Sequence, residues 1–212
     1  MAEKQVGKLP SVRRLPLYLR LLREQQASGR AVVSSAHLAV ALDILQIQVK
    51  KDLEITGITG KPGVGFQVDE LIAAIENYLG WNNVTDAVVV GAGHLGQALM
   101  GYAGFKNYGL NIVAAFDSDA TLAGQTLKGV PVLPIDKLED LLERLHIHLA
   151  VLTVPAEAAQ SVCERLVAAG VKGIWNFTPV RLAAPEGVIV RSEDLAAGLA
   201  ELSLGIKQQL GV

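Results

Sequence analysis

With 212 residues, half of them hydrophobic and 19% charged, the chain is long enough for one or two packed domains and too apolar for a disordered one. It has no uninterrupted apolar run of about 18 residues, which excludes a membrane-spanning helix. Its single cysteine, Cys163, excludes an intrachain disulfide and any internal two-thiol switch.

The net charge of −2 hides an asymmetry: residues 1–65 carry ten Lys/Arg against five Asp/Glu, and residues 66–212 carry nine against sixteen. A basic front and an acidic back predict two domains with different partners. The start, Met1-Ala2-Glu3-Lys4-Gln5, lacks the apolar core of a secretory leader. A cytoplasmic location is expected, in keeping with the single cysteine.

Val12, Leu15, Leu19 and Leu22 fall at helical spacing, with Arg13, Arg14, Arg20 and Arg23 between them. Pro16 is expected to open or kink this helix. Ala31-Val32-Val33 reads as a short strand. Ser34 and Ser35 offer an N-cap for a helix over Ala36–Leu42, with Leu38, Ala41 and Leu42 on its buried face. Asp43-Ile44-Leu45 turns the chain into a second, polar and basic helix that begins near Gln46. Two short helices joined by a tight turn form a helix-turn-helix, whose second helix would enter a major groove. Ser35, Val49, Lys50 and Lys51 are the residues expected to face DNA. The stretch Gly57–Phe66, rich in glycine, predicts a hairpin wing with Lys61 at its tip, within reach of phosphate. Val68–Leu79 reads as an amphipathic helix, and Gly80-Trp81-Asn82-Asn83 as the junction that ends a domain over residues 1–80.

The second domain, over residues 84–192, opens on the strand Asp86–Val90 and the loop Gly91-Ala92-Gly93-His94-Leu95-Gly96. Strand, Gly-x-Gly-x-x-Gly and helix in that order are the fingerprint of a Rossmann dinucleotide site. Gly91 permits the turn, Gly93 close approach of the pyrophosphate, and Gly96 close packing of helix on strand. Asp117 follows the next strand, Leu110–Phe116, and lies 21 residues beyond Gly96. An acid there binds the adenosine ribose and favours NAD over NADP; Ser118 stands beside it. Strands over Val130–Leu133, Leu149–Val154, Gly173–Phe177 and Val188–Val190 alternate with helices over Ile135–Leu145 and Glu157–Ala169. This predicts an α/β fold with a doubly wound parallel sheet. Thr153, Val154, Pro155, Asn176, Phe177 and Thr178 stand at carboxyl ends of strands and are expected to line the nicotinamide side.

Leu195, Leu199, Leu202, Ile206 and Leu210 make an apolar stripe on a final helix over Asp194–Gln209, in a segment of residues 193–212. It covers the chain's own sheet or meets a second subunit. His146 and His148 have no further ligand-type residue spaced for zinc, so no metal is expected. Cys163 sits in a helical apolar pattern, as a buried thiol would. No triad or substrate domain stands out, so no catalytic residue is assigned. The readings left open are a regulator, a small NAD-dependent dehydrogenase and a nucleotide-binding module of the CoA-ligase type.

The order of parts resembles the redox-sensing transcriptional repressor Rex family. The likeness is carried by Arg14-Leu15-Pro16-Leu17-Tyr18-Leu19-Arg20, Ser34-Ser35, Gln48-Val49-Lys50-Lys51-Asp52-Leu53 and Gly63-Val64-Gly65-Phe66. In the second half it is carried by Val90–Gly96, Tyr102-Ala103-Gly104-Phe105, Ala115-Phe116-Asp117, Val154-Pro155-Ala156 and Asn176–Leu182. The resemblance implies a winged-helix domain, an NAD(H)-binding domain and a terminal helix swapped between the subunits of a homodimer. It implies release of operator DNA when NADH binds, with NAD⁺ permitting binding, and no membrane partner. It adds Arg14 and Gln48 to the DNA-binding residues, places Tyr102 near the nicotinamide, and makes Asp194 an acid that contacts the winged helix in one state. Lys50 stands where the family usually has Arg, Glu54 where it has a small residue, Ile55 and Thr59 near usual aromatics, Pro62 at a frequent Arg, and Asp43 at a frequent Gly.

Overall fold

The computed structural model describes residues 9–211. The stretch Met1–Gln5, read above for a leader, lies outside them. The chain divides between Asn83 and Val84 into two compact units.

In the first unit, α1 (Leu9–Ala27) buries Leu15, Tyr18, Leu19 and Leu22 along one face. Pro16 sits inside α1 rather than at its start. It lacks one backbone donor, but its neighbours Leu15 and Leu19 are fully buried, and that packing carries the helix through. β1 (Val32–Val33) leads to α2 (Ser35–Leu42), whose N-cap Ser34 accepts from the amide of His37. α2 buries Ser35, Leu38 and Ala39, so Ala41 is not on its inner face. α2 ends at Asp43, held at φ 51°, a left-handed conformation that aspartate tolerates better than most residues. That allows a three-residue turn into α3 (Gln46–Glu54).

The hairpin expected over Gly57–Phe66 narrows to one turn. Lys61 and Gly65 exchange backbone hydrogen bonds of 2.7 and 2.9 Å, and β2 (Phe66–Gln67) pairs back onto β1. α4 (Val68–Leu79) completes the core with Val68, Leu71, Ile72 and Ile75.

The second unit is built on a seven-stranded sheet of order β5-β6-β4-β3-β7-β8-β9. Its strands are β3 (Thr85–Val90), β4 (Leu110–Asp117), β5 (Thr126–Leu127), β6 (Val130–Pro134), β7 (Leu149–Leu152), β8 (Gly173–Asn176) and β9 (Ile189–Ser192). Every neighbouring pair is parallel except β5 with β6. Ala87–Val90 is wholly buried, as a strand covered on both faces must be. Strand order reverses between β3 and β7, so the crevice at their carboxyl ends is where a doubly wound sheet takes its ligand. The helices are α5 (His94–Met100), α6 (Leu138–Leu145) and α7 (Ala156–Ala168), with a 3₁₀ turn over Ala103–Tyr108 after α5.

α8 (Leu195–Leu210) runs unbroken through Gly198 and Gly205. It does not bury its stripe in the chain: Leu199, Leu202, Ile206 and Leu210 are 64%, 61%, 47% and 71% exposed. The side chain of Leu195 lies outside the described set.

Candidate nucleotide and DNA-binding sites

The glycine loop leaves β3 at the switch point. The amide of Gly91 donates to Phe116 O at 2.8 Å, and that of Thr153 to Val90 O at 2.9 Å. The Thr153 hydroxyl donates to Gly91 O at 2.7 Å, so its side chain ties the exit of β7 to the loop. A Cβ on Gly96 would stand 1.9 Å from Gly91 O, and one on Gly91 would stand 2.7 Å from Thr153 O. These two glycines are demanded by the protein's own packing. Gly93 differs: it is exposed, has φ −69°, and a Cβ there would meet nothing within 4 Å. Neither backbone nor packing requires glycine at 93, which fits a surface left bare for a pyrophosphate.

Asp117 closes the cradle. Its Oδ2 accepts from the amide of Ala92 at 2.6 Å, and its Oδ1 from that of Asp119 at 2.8 Å. A carboxylate has about four lone-pair sites, so two remain for ribose hydroxyls. Ser118, His94 and Leu95 are exposed around the same mouth, while Ala92 is buried. Residues present therefore fit a dinucleotide: bare backbone for phosphates and a fixed acid for the ribose.

The residues expected on the nicotinamide side divide. Val154 and Phe177 are half-buried, and Pro155 is exposed. Asn176 is fully buried. Its amide donates to Val180 O and Ser192 Oγ, and its carbonyl accepts from the Thr178 amide and hydroxyl. All four of its bonds are taken. The Asn176 side chain thus pins the exit of β8 to β9, and only its backbone is left to line the site expected there. Thr178 is buried, 4% exposed, and its hydroxyl is committed to the same knot. Tyr102 is exposed and begins a row of rings, edge-on to Phe105 at 4.9 Å, Phe105 edge-on to Trp175 at 5.6 Å, and Trp175 tilted against Phe177 at 4.9 Å. That row was not foreseen, because its two halves, Tyr102 with Phe105 and Trp175 with Phe177, lie on two elements far apart in the sequence. Asp194 caps α8, accepting from the amide of Ala196 at 2.9 Å.

In the first unit a groove of about 650 Å³ runs between α3 and the wing, lined among others by Ser35, Gln46, Lys50, Glu54 and Lys61. Lys50, Lys51 and Lys61 are exposed. Ser35 is buried, and its hydroxyl accepts from Gln46 Nε2 at 3.0 Å, bracing the start of α3 against α2. Val49 is wholly buried in the core with Leu53, one turn on. The expectation that it faces DNA is corrected: as the apolar member of α3 it anchors the helix.

Arg14 and Gln48 also turn inward, onto Asp52, to which the sequence reading gave no role of its own. Asp52 is fully buried; it receives Arg14 Nε at 2.6 Å, Arg14 Nη2 at 2.7 Å, the Tyr18 hydroxyl at 2.7 Å and Gln48 Nε2 at 2.8 Å. Burial pushes the Asp52 carboxyl up, but hydrogen bonds from Arg14, Ser11, Tyr18 and Gln48 outweigh it and hold the group at about 2. Burial and the bond to Asp52 push the Tyr18 hydroxyl up, so it stays a neutral donor. The knot fixes α3 on α1.

Burial, then the neighbouring Glu164, pushes the Cys163 thiol up. Among the described residues no cluster of three His, Cys, Asp or Glu could hold a metal, and no helix is long and apolar enough to cross a membrane.

The family model "Putative DNA-binding protein N-terminus" matches residues 9–54, and the model "CoA binding domain" matches residues 82–180. The redox-sensing transcriptional repressor Rex of Treponema denticola is 47% identical over 96% of this chain and 97% of its own length. That of Carboxydothermus hydrogenoformans is 44% identical over 93% of this chain and 95% of its own. The chain belongs to the Rex family. Rex proteins are transcriptional repressors rather than enzymes, and the dehydrogenase reading is set aside. The Rex-family repressor RSP, solved with β-NAD⁺ and operator DNA, matches with a TM-score of 0.89 at 33% identity, over 95% of this chain and 93% of that one. RSP solved with β-NADH matches with a TM-score of 0.85 at 32% identity, over 94% of each chain. The winged-helix-plus-Rossmann architecture is thus that of Rex.

Proposed function

We propose that this chain is an NADH-responsive repressor that binds operator DNA as a homodimer and releases it when NADH binds. One observation carries the reading. A dinucleotide cradle, with Gly93 bare and Asp117 fixed beside it, is joined in one chain to a helix-turn-helix that exposes Lys50, Lys51 and Lys61. The nucleotide is then a signal, and its effect is a population shift between dimer states that do or do not match two half-sites.

Gly91–Gly96 supplies backbone to the pyrophosphate, Asp117 and Ser118 face the adenosine ribose, and Thr153–Pro155, Phe177 and Tyr102 border the nicotinamide side. Lys50 and Lys51 on α3 and Lys61 on the wing neutralise phosphates or reach base edges. Asn176, Thr178, Arg14, Gln48 and Val49 act behind these surfaces by holding them in place. The exposed stripe of α8 supplies the dimer contact, since a continuous apolar helix face in water is costly until it meets a partner. A swap of α8 between subunits follows from the resemblance. Titration of operator DNA with and without NADH tests the reading.

The match of residues 82–180 to a CoA-binding model favours one rival, a CoA-responsive module. Asp117 argues against it, because an acid at the ribose repels a phosphate there.

A further inference from the structure

α3 offers few polar side chains to a ligand, since Gln48 and Asp52 are committed to the knot with Arg14 and Tyr18. What remains on the groove side is a stripe at four-residue spacing: Gln46, Lys50 and Glu54. Gln46 gives its amide to Ser35. Glu54 is exposed, lines the same groove as Lys50 and Lys61, and is the one carboxylate in that lining. Among the described residues no ion pair or side-chain hydrogen bond engages it.

A bare carboxylate in a groove that receives DNA is repelled by phosphates, and at the last residue of a helix it is also disfavoured by the dipole. Both costs are offset only where the carboxylate meets a donor. In the major groove the donors are the exocyclic amino groups of cytosine and adenine. Adenine sets its amino group beside the N7 acceptor, which would repel a second carboxylate oxygen. Cytosine N4 has no such acceptor on the same base.

We infer that Glu54 is a specificity-determining residue, whose carboxylate accepts a hydrogen bond from cytosine N4 at one position of each operator half-site. This rests on the reading of α3 as the DNA-facing helix.

The test is selection of half-sites from a randomised duplex pool, followed by titration of the selected sites at fixed salt, for the full-length protein, E54A and E54Q. Glu54 is exposed, so both variants fold. The native protein is expected to select cytosine at one position, with a loss of about tenfold for other bases there. E54A should lose that preference and keep the rest of the site. E54Q should move it toward adenine, the base a glutamine amide pairs with. Identical selected sites for all three proteins, with E54A binding every duplex more tightly, would overturn the inference and leave Glu54 a phosphate repellent. Addition of NADH in the same titrations separates the two readings. Release by NADH without cytosine selection sinks only the role of Glu54, cytosine selection without release sinks only the sensor reading, and no binding to any duplex sinks both.

Discussion

Ala92 donates its amide to the Asp117 carboxylate across 2.6 Å, so the glycine loop and the acid at the end of β4 are one unit. Asp117→Ala should remove both the proposed ribose acceptor and that tie. Hydrogen bonds to a charged group are worth about 1.5–3 kcal/mol, so NADH affinity should fall by roughly ten- to a hundredfold. Calorimetry with NADH and with CoA, on the native protein and the variant, checks it. If native protein prefers CoA and Asp117→Ala leaves NADH affinity unchanged, the ribose assignment is wrong.

Gly93 and Gly96 should part company on substitution. Gly93→Ala adds a methyl in open space and should leave thermal stability unchanged while lowering NADH affinity tenfold or more. Gly96→Ala drives a methyl onto Gly91 O and should cost about 1–3 kcal/mol of stability, the usual range for overpacking. Melting curves and nucleotide titrations on the two variants separate protein packing from ligand clearance. Equal nucleotide affinity in Gly93→Ala and native protein would contradict the phosphate role of this loop.

Asp52 makes the first unit sensitive to strong acid. Its folded value of about 2 lies below the ordinary 3.8, so the ionised form is favoured by folding. The stabilisation is complete above about pH 4 and is lost as pH falls toward 2, and linkage puts it at about 2 kcal/mol. Asp52→Asn should lower stability by about that amount at pH 7, with the deficit shrinking below pH 4. Denaturant midpoints measured across that pH range check it, and a deficit that does not change with pH would refute the charged knot. At pH 7 the same variant should weaken operator binding, because α3 loses its tie to Arg14 and Tyr18.

Much of this was legible in the sequence, for local reasons. The fingerprint loop and Asp117 are set by the positions of three glycines and one acid, so their order along the chain is their geometry. α3 starts at Gln46 as expected, because the turn that Asp43 opens in a left-handed conformation is only three residues long. Val49 was misplaced although its signal was present: with Leu53 it makes the i, i+4 apolar pair that marks a helix's buried side. The Asp52 knot was not legible, since Arg14 and Tyr18 lie more than thirty residues upstream and only packing brings them in. The β5–β6 hairpin was missed because its added strand is two residues long, too short for alternation. Its one cue was Lys128-Gly129, a two-residue loop with positive φ at both positions.

The exposed stripe of α8 makes the oligomeric state testable. Leu202→Asp places a charge in the middle of the stripe and should cost at least the burial of one leucine per subunit, about 1.5–3 kcal/mol each. Light scattering should show native protein as a dimer and the variant shifted toward monomer at the same concentration. A dimer of unchanged strength in Leu202→Asp would show that the contact lies elsewhere.

The account's central claim is that the cradle at Gly91–Gly96 controls the DNA-facing surface of α3 and the wing. The most direct measurement is operator affinity at one fixed salt concentration, alone, with NADH and with NAD⁺, since salt sets the electrostatic part of binding. The account predicts that NADH lowers the affinity at least tenfold and that NAD⁺ does so far less. An operator affinity indifferent to both nucleotides would contradict it.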